Sequence, residues 1–397
     1  MISVDEAIAT ILDGAAPIGA ENVSLTGCTD RIAASDIIAR MTQPPFTASA
    51  MDGYAVRFED AQKGATLKLI GEAPAGAPFS GCVAAGEAVR IFTGGVVPEG
   101  ADHVVIQEDV TRKEDVITIN DDQESPRNIR AAGIDFKAGD TLVRKGEVLH
   151  EIHGSILAAA NIDTVTVQRR PKVILFSNGD ELVEPGTDVK PGQIVNSNHY
   201  ALSDMIRRWG GDPIYIGCAA DEELAIRSMF TKVRDADLIV PIGGASVGDY
   251  DFVKSAFRAE GGGTIFEKIA VRPGKPTWFG ALGDARVIGL PGNPASALVT
   301  AALFVQPLVR RFVGDGGGEN AHFHAANLAA PLDANGGREA YLRGTAAVSP
   351  NGMTVTPISN QDSSLLTPFA TANVLIRRVV NAPALGIGEE IEFVWLR

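Results

Sequence analysis

Hydrophobic and polar positions follow different periods along this chain, and each period marks a region. Residues 3–13 repeat apolar side chains at helical spacing, with Val4, Ile8, Ile11 and Leu12 on one face, and predict a short amphipathic helix. A second helical piece is expected from Asp30 to Ala39, after a turn at Gly27. From Pro44 to about Ala138, glycine and proline punctuate short β-like runs: Thr66–Ile70, Ala88–Ile91, His103–Gln107 and Val116–Ile119. That pattern reads as a small β-rich domain. A helix over His153–Ala160 and a strand over Thr164–Val167 follow. The segment 139–168 is expected to pack with residues 1–43, which makes 44–138 an insertion.

Beyond Arg169-Arg170-Pro171 the rhythm alternates between strand and helix. Lys172–Ser177, Pro213–Gly217, Leu238–Ile242 and Arg286–Leu290 read as strands. Helices are expected over Asn198–Trp209, capped by Asn198 and stopped by Gly210-Gly211, and over Glu222–Val233. Another runs through FVKSAFRAE, with Val253, Ala256 and Phe257 on one face. A long one spans Ala295–Phe312, with Asn293 at the N-cap and Pro294 at the first helical position. Such alternation means a doubly wound parallel sheet. A glycine run, Gly314 to Gly318, marks a linker. The rest alternates at period two, as in Met353–Thr356, Val374–Arg378 and Glu390–Trp395, and reads as a small β-barrel or sandwich. The chain is thus an α/β multi-domain protein. Residues 1–43 plus 139–168 form a mixed α/β domain, 44–138 the inserted β-rich domain, 169–313 the doubly wound domain and 314–397 the C-terminal β domain.

Composition narrows the function. A length of 397 residues with 45% apolar side chains suits two to four domains with real cores. A formal net charge of −14 argues against nucleic-acid binding, and an anionic substrate would need a local basic pocket. Cys28, Cys82 and Cys218 lie far apart, which argues against a disulfide framework or a zinc site. The N-terminus has no basic stretch of a signal peptide, and no apolar run reaches about 18 residues, so a cytoplasmic protein without a membrane span is expected.

Candidate chemistry gathers where open α/β sheets bind ligands, beyond the carboxyl ends of the strands. The stretch Asp237–Asp251, DLIVPIGGASVGDYD, is a strand, a glycine turn and the start of a helix, which together make a ready anion site. Its acids make sense beside a divalent cation and a phosphate-like ligand. A plain strand–helix connection with Asp249 as cap is the bland reading. The strand Lys172–Ser177 ends in Asn178-Gly179-Asp180-Glu181, and Arg286–Leu290 ends in Pro291-Gly292-Asn293-Pro294. Arg272-Pro273-Gly274-Lys275-Pro276 carries two cations in a proline-stiffened loop, as an oxyanion clamp needs. Three further patches lie in the first half: Ser49–Ala55 around Asp52, Arg90–Gly95 around Thr93, and Asn128–Asp135.

Taken together, SAMDGYA (49–55), RIFTGGVVPEGADHVV (90–105), NIRAAGID (128–135), NGDELVEPG (178–186), GGASVGDYD (243–251), RPGKP (272–276) and LPGNPAS (290–296) resemble the molybdopterin molybdenumtransferase family, whose animal relative is the E domain of gephyrin. The resemblance covers nearly the whole chain. It implies insertion of molybdate into adenylylated molybdopterin with Mg²⁺ assistance, releasing AMP and molybdenum cofactor. It implies four domains, the last a β-barrel, in an elongated homodimer with the site near the subunit interface. It also implies a molybdopterin adenylyltransferase as supplier and molybdoenzymes or their chaperones as acceptors. By position, Asp52, Asp135, Glu181, Asp251 and Lys275 match the catalytic residues, with Glu181 and Asp251 on the metal. Thr93, Gly244, Ser246, Gly248, Asp249, Arg272, Pro291, Asn293, Pro294, Arg343, Ser363 and Ser364 match the substrate-binding set. Two positions depart from the family pattern: Asn178 stands where threonine is usual, and Arg272 where lysine is.

Two other readings stay open. Gly244-Ala245-Ser246-Val247-Gly248 also fits the G-x-S-x-G elbow of serine hydrolases. That reading needs a later histidine, and only His322 and His324 follow Ser246, beside the glycine run. A non-catalytic scaffold on the same fold would be favoured by loss of the acids or of Lys275, and these are present.

Overall fold

The computed structural model describes residues 1–233, 235–244, 252–315, 323–350 and 352–396. The chain divides into two compact units, Asn22–Thr166 and Met1–Glu21 with Val167–Arg397. Residues 1–21 therefore fall with the doubly wound region, whereas the rest of 22–43 shares a unit with 139–166.

In the unit Asn22–Thr166, a six-stranded sheet runs in the order His103–Ile106, Gly53–Val56, Glu87–Ile91, Thr66–Ala73, Val116–Ile119, Val110–Lys113. All neighbours are antiparallel except Thr66–Ala73 against Glu87–Ile91. Alternating residues fill one apolar cluster with Tyr54, Val56, Leu67 and Ile117, and a second with Ala55, Val89, Ile91 and Val104. The segment Asp30–Ala39, expected as helix, is extended instead. Ile37–Ile38 pairs with Thr141–Val143, and Ala33 N donates to Glu147 O. Asp30 sits at φ 61°, which no helical run tolerates, and pairing with 141–149 overrides the weak helical period. Helix Glu151–Ala159 and strand Thr164–Gln168 close the unit.

In the other unit, Ser3 and Glu6 form a capping box that starts helix Val4–Leu12. Its Val4, Ala7 and Ile11 enter the core of the doubly wound region. The sheet there has the order Asp212–Ala219, Lys172–Asn178, Leu238–Ile242, Ala285–Gly289, Trp278–Leu282, Gly263–Phe266. Its first four strands are parallel and its last two antiparallel, so the sheet is mixed rather than all-parallel. Successive residues of Lys172–Asn178 face opposite sides. Val173 and Leu175 pack with helix Asn198–Arg208 and the helix that starts at Pro294, whereas Ile174 and Phe176 pack with helices Glu223–Thr231 and Phe252–Ala259.

Two helix details differ from expectation. Ser197 is the cap residue of Asn198–Arg208, and the Asn198 side chain turns elsewhere. The long helix begins at Pro294 behind Asn293 as expected, but Ala301–Val305 forms a π turn before Gln306–Phe312. Pro307 has no N–H for the carbonyl of Leu303, which explains the widened turn.

The C-terminal domain is a closed five-stranded barrel. Glu339–Ser349 pairs with Gly352–Pro357, that with His324–Leu328, then Glu390–Trp395 and Val374–Arg378, which returns to Glu339–Ser349. Val355, Val374, Ile376 and Phe393 fill it. A short strand, Val271–Arg272, adds in parallel to Glu339–Ala340.

His103, fully buried, makes the first unit sensitive to pH. Its Nδ1 accepts from Arg127 N at 3.0 Å and its Nε2 lies 3.3 Å from Gln123 Oε1, so the neutral ring satisfies both contacts. Burial holds its pKa below the usual histidine value. The unfolded chain therefore takes up the proton first as pH falls through about 6.5, and stability declines below that point. Denaturant unfolding between pH 7 and pH 5 is expected to show this loss, and His103→Gln to flatten it; an equal slope in both proteins contradicts the assignment.

Candidate functional site

The loop that carries both candidate cations is fixed from three sides. Ala270 N donates to Ile2 O at 2.8 Å, and Glu339 N donates to Ala270 O at 2.9 Å. Ile269 N donates to Lys275 O at 3.0 Å, which closes the loop on itself. Gly274 takes φ 111°, and a Cβ there would lie 2.1 Å from the Thr300 methyl carbon. Only glycine allows that approach, which seats the loop on the helix that begins at Pro294.

Between this loop, the first turn of that helix and the barrel lies a cavity of about 440 Å³. Arg272, Lys275, Ser296, Arg343, Gln361 and Ser363 are among its lining residues. Arg272 and Lys275 are exposed, and among the described residues neither side chain has a hydrogen-bond or ion-pair partner. Two unpaired cations in a stiff loop are preorganised for a doubly charged oxyanion.

Arg343 behaves differently. It is 2% exposed, and its Nη1 donates to Leu365 O at 3.0 Å. Its Nη2 reaches Asp362 O at 3.0 Å and Asn360 O at 3.3 Å, and its Nε reaches Gln361 Oε1 at 3.3 Å. Gln361 in turn donates to Arg343 O and Ile358 O. This guanidinium is spent on the loop 358–365, so the geometry makes it a support of the cavity wall. The wall is tied to the sheet side as well: Asn293 Nδ2 contacts Ser363 Oγ at 3.2 Å, and Ala295 N donates to Ser363 O at 2.9 Å. The serine pair divides. Ser363 lines the cavity, whereas Ser364 gives its N–H and hydroxyl to Asp362, which holds that carboxyl below the usual range.

A second group lies at the strand ends. Glu181, exposed, follows Asp180, which accepts from Asp221 N at 3.1 Å. The nearby Cys218 thiol is pushed up to about 11, first by burial and then by Glu184, Glu181, Asp221 and Asp180. That negative field favours a hard cation. Gly244, at φ 60°, follows strand Leu238–Ile242, and Pro291 is buried just before Asn293 and Pro294 in the chain. Ser246, Gly248, Asp249 and Asp251 lie outside the described residues.

In the unit Asn22–Thr166, the three patches converge. Ser49 N donates to Gly95 O, Gly94 N to Ser49 O, and Ala50 N to Asn128 O. The register Gly53↔Ile91 brings Asp52 beside Thr93, whose N–H and hydroxyl both donate to Asp52 Oδ1 at 2.8 Å. These bonds, the N–H first, hold the Asp52 carboxyl below its ordinary value. Asp135 is exposed beyond strand Ile129–Arg130, with its N–H on Gln43 O at 3.1 Å.

Sequence reasoning missed Ser296 and Gln361. Ser296 stands in the quoted LPGNPAS run, two residues past Pro294 on the helix's first turn, which was a usable signal. Nothing in the sequence marks Gln361. For the hydrolase reading, Ser246 and His322 lie outside the described residues, and His324 packs its ring on Phe393 in the barrel.

A doubly wound sheet is followed by a closed barrel, and a cavity lined by two exposed cations lies between them. Residues 2–161 match the family described as MoeA N-terminal region (domain I and II), 174–311 the "Probable molybdopterin binding domain", and 325–396 the MoeA C-terminal region (domain IV). A molybdopterin molybdenumtransferase of Haemophilus influenzae is 37% identical over 95% of this chain and 94% of its own. One of Nostoc is 36% identical over 82% and 77%. A solved molybdopterin biosynthesis moeA protein from Pyrococcus horikoshii has TM-score 0.85 at 33% identity, covering 100% of this chain and 99% of its own. The chain belongs to the molybdopterin molybdenumtransferase family, transferases of molybdenum cofactor biosynthesis. Among the described residues no helix is long and apolar enough to cross a membrane.

Arg343→Lys keeps the charge but cannot span the loop carbonyls. Buried bonds from a charged group contribute about 1.5–3 kcal/mol each, so the loop 358–365 is expected to be cleaved by protease faster than in the wild type. Lys275→Ala, which has no such bonds to lose, is expected to leave cleavage unchanged. Equal cleavage of Arg343→Lys and wild type contradicts the supporting role.

Proposed function

We propose that this chain inserts molybdate into adenylylated molybdopterin, with Mg²⁺ assisting, and releases AMP and molybdenum cofactor. The observation that carries the reading is the pair of cations, Arg272 and Lys275, which have no side-chain partner among the described residues and line a cavity together with Ser296 and Ser363. Molybdate is a dianion, and two cations match it. Both cations are exposed, so each contact is screened and contributes about 0–1 kcal/mol, and the two together set a local positive field against the net charge of the chain. The two serine hydroxyls supply donors to its oxygens, and Arg343 with Gln361 keeps Ser363 in place.

The pterin nucleotide is assigned to the strand ends, over Gly244, Ser246, Gly248, Asp249, Pro291, Asn293 and Pro294. Glu181 and Asp251 are the residues that would hold Mg²⁺. The donor set fits, because Mg²⁺ takes only one or two carboxylates and completes its shell with water and substrate phosphates. Among the described residues no group of three or more acids, cysteines or histidines is placed to hold a metal, so on this reading Glu181 and Asp251 would hold it with substrate phosphates and water completing its shell. Bound Mg²⁺ would neutralise phosphate charge as AMP leaves. Asp52, oriented by Thr93, and Asp135 keep the catalytic assignment that the family resemblance gives them. The working unit is taken as a cytoplasmic homodimer, supplied by a molybdopterin adenylyltransferase and drained by acceptor molybdoenzymes or their chaperones.

The test is AMP release from adenylylated molybdopterin. It is expected to require both molybdate and Mg²⁺, and Lys275→Ala is expected to lower turnover at limiting molybdate at least about tenfold, which is about 1.4 kcal/mol. Lys275 has little packing to lose, so the variant should melt like the wild type. Turnover that persists in excess EDTA, or a Lys275→Ala enzyme with unchanged molybdate dependence, contradicts the proposal.

A further inference from the structure

The turn that carries Asp52 is held by an arginine. Arg90 stands directly across the sheet from Tyr54, and Gly53, the neighbour of Asp52, stands across from Ile91. The half-buried Arg90 guanidinium lies 5.1 Å from the centre of the Tyr54 ring and 4.7 Å from that of Phe92, so two aromatic rings hold it in place. Its Nη1 donates to Gly53 O at 3.0 Å, and its Nη2 donates to Gln107 Oε1 at 2.7 Å. Gln107 N in turn donates to Asp52 O at 3.1 Å. Gln107 Nε2 lies 3.3 Å from Glu108 Oε1, which keeps the amide oxygen turned toward Arg90. One guanidinium thus holds the carbonyl after Asp52 directly and the carbonyl of Asp52 itself through Gln107.

The backbone at this turn also has a close neighbour below it. A Cβ on Gly53 would lie 2.0 Å from Val105 O, so only glycine fits beside Asp52. With the chain fixed on both sides, the Asp52 side chain meets Thr93, whose N–H and hydroxyl both donate to Oδ1. Among the described residues Oδ2 has no hydrogen-bond partner, and it is the oxygen left for a ligand. The two Nη atoms of Arg90 are bonded to the protein, so its place is that of a brace rather than of a ligand contact. A lysine there would keep the charge but could not donate along two fixed directions at once.

We propose that Arg90 is a positioning residue for the reaction: with Gln107 it sets the Asp52 turn so that Oδ1 meets Thr93 and Oδ2 is presented to the substrate. This rests on the catalytic assignment of Asp52 in the proposed function. Arg90 touches no reacting atom on this account and acts through Asp52. Its fork, its two aromatic neighbours and the Gln107 bridge together do what a single charge could not, which is to fix a direction as well as a distance.

The test is a double-mutant cycle on the intact protein, read as molybdate-dependent AMP release. Asp52→Asn alone is expected to slow turnover. Arg90→Lys is expected to lower kcat at least about tenfold with the KM for molybdate unchanged, because a small misplacement of a catalytic group costs rate rather than binding. Gln107→Leu leaves Arg90 and its charge in place and is expected to act in the same direction, so the cycle stands even where Arg90→Lys does not fold. In the Asp52→Asn background neither change is expected to cost anything further, because residues that act as one unit are not additive. A double variant slower than Asp52→Asn by the full factor of the second change means a merely structural role and overturns the proposal, and so does an Asp52→Asn enzyme with full turnover. A crystal structure of Arg90→Lys, or of Gln107→Leu, reads the geometry without activity: the Asp52 carboxylate is expected to leave Thr93, and a carboxylate still in its wild-type place overturns the proposal. The two readings fail separately. Absence of wild-type turnover with Asp52 displaced in the variant structure sinks the proposed function, whereas wild-type turnover with additive effects sinks the positioning role alone.

Discussion

The candidate anion site depends on a two-residue strand. Val271–Arg272 pairs with Glu339–Ala340, and this short ladder sets the doubly wound sheet and the barrel edge to edge. Its ends are pinned by Ile2 on one side and by the closure of Ile269 on Lys275 on the other. The barrel strand that accepts it then carries Tyr341, which donates to Glu339 Oε1 at 2.7 Å, and Glu339 also takes Arg377 Nε at 2.6 Å. Arg377 lies 3.8 Å from Asp5 on the first helix. The N-terminal helix and the barrel are thus linked by one small polar network, buried at Glu339 and Tyr341 and exposed at Asp5. Its buried part, Glu339 with Tyr341 and Arg377, fixes a geometry because each member has its partner.

That constraint explains a division of labour among the arginines. Arg343 and Arg272 line the same cavity, yet Arg343 bonds the loop 358–365 through Nε, Nη1 and Nη2, whereas Arg272 has no side-chain partner among the described residues. A guanidinium buried at 2% exposure must spend its N–H groups on carbonyls, and burial lowers its pKa against that. An exposed guanidinium on a proline loop keeps its donors for a ligand. The same chemistry serves as support in one place and as a recognition group in the other, and local burial decides which.

Much of the architecture was legible from hydrophobic period alone. Leu238–Ile242, Val116–Ile119, Val374–Arg378 and Glu390–Trp395 stand where alternation or an apolar run placed them. The exceptions have physical causes. Asp30–Ala39 carries a weak helical period that pairing with 141–149 overrides. The antiparallel strands Gly263–Phe266 and Trp278–Leu282 carry glycine and small residues, which blunts the strand signal. The site was legible as motifs but not as contacts. Arg272, Lys275 and Asn293 were readable because proline and glycine frame them. The commitment of Arg343 to the loop 358–365, and the clamp made by Gln361, depend on barrel closure, which has no local signature. The meeting of Asp52 with Thr93 likewise needs the strand register, because the two are 41 residues apart.

The most direct test of the central claim, that the seam between sheet and barrel is an oxyanion site, is a crystal structure of the protein soaked in molybdate, with molybdenum located by its anomalous signal. The account predicts a molybdenum peak inside the cavity, within contact of Lys275 Nζ and the hydroxyls of Ser296 and Ser363, with Arg343 still bonded to the loop carbonyls. A peak elsewhere at saturating molybdate, with the cavity left empty, would contradict it.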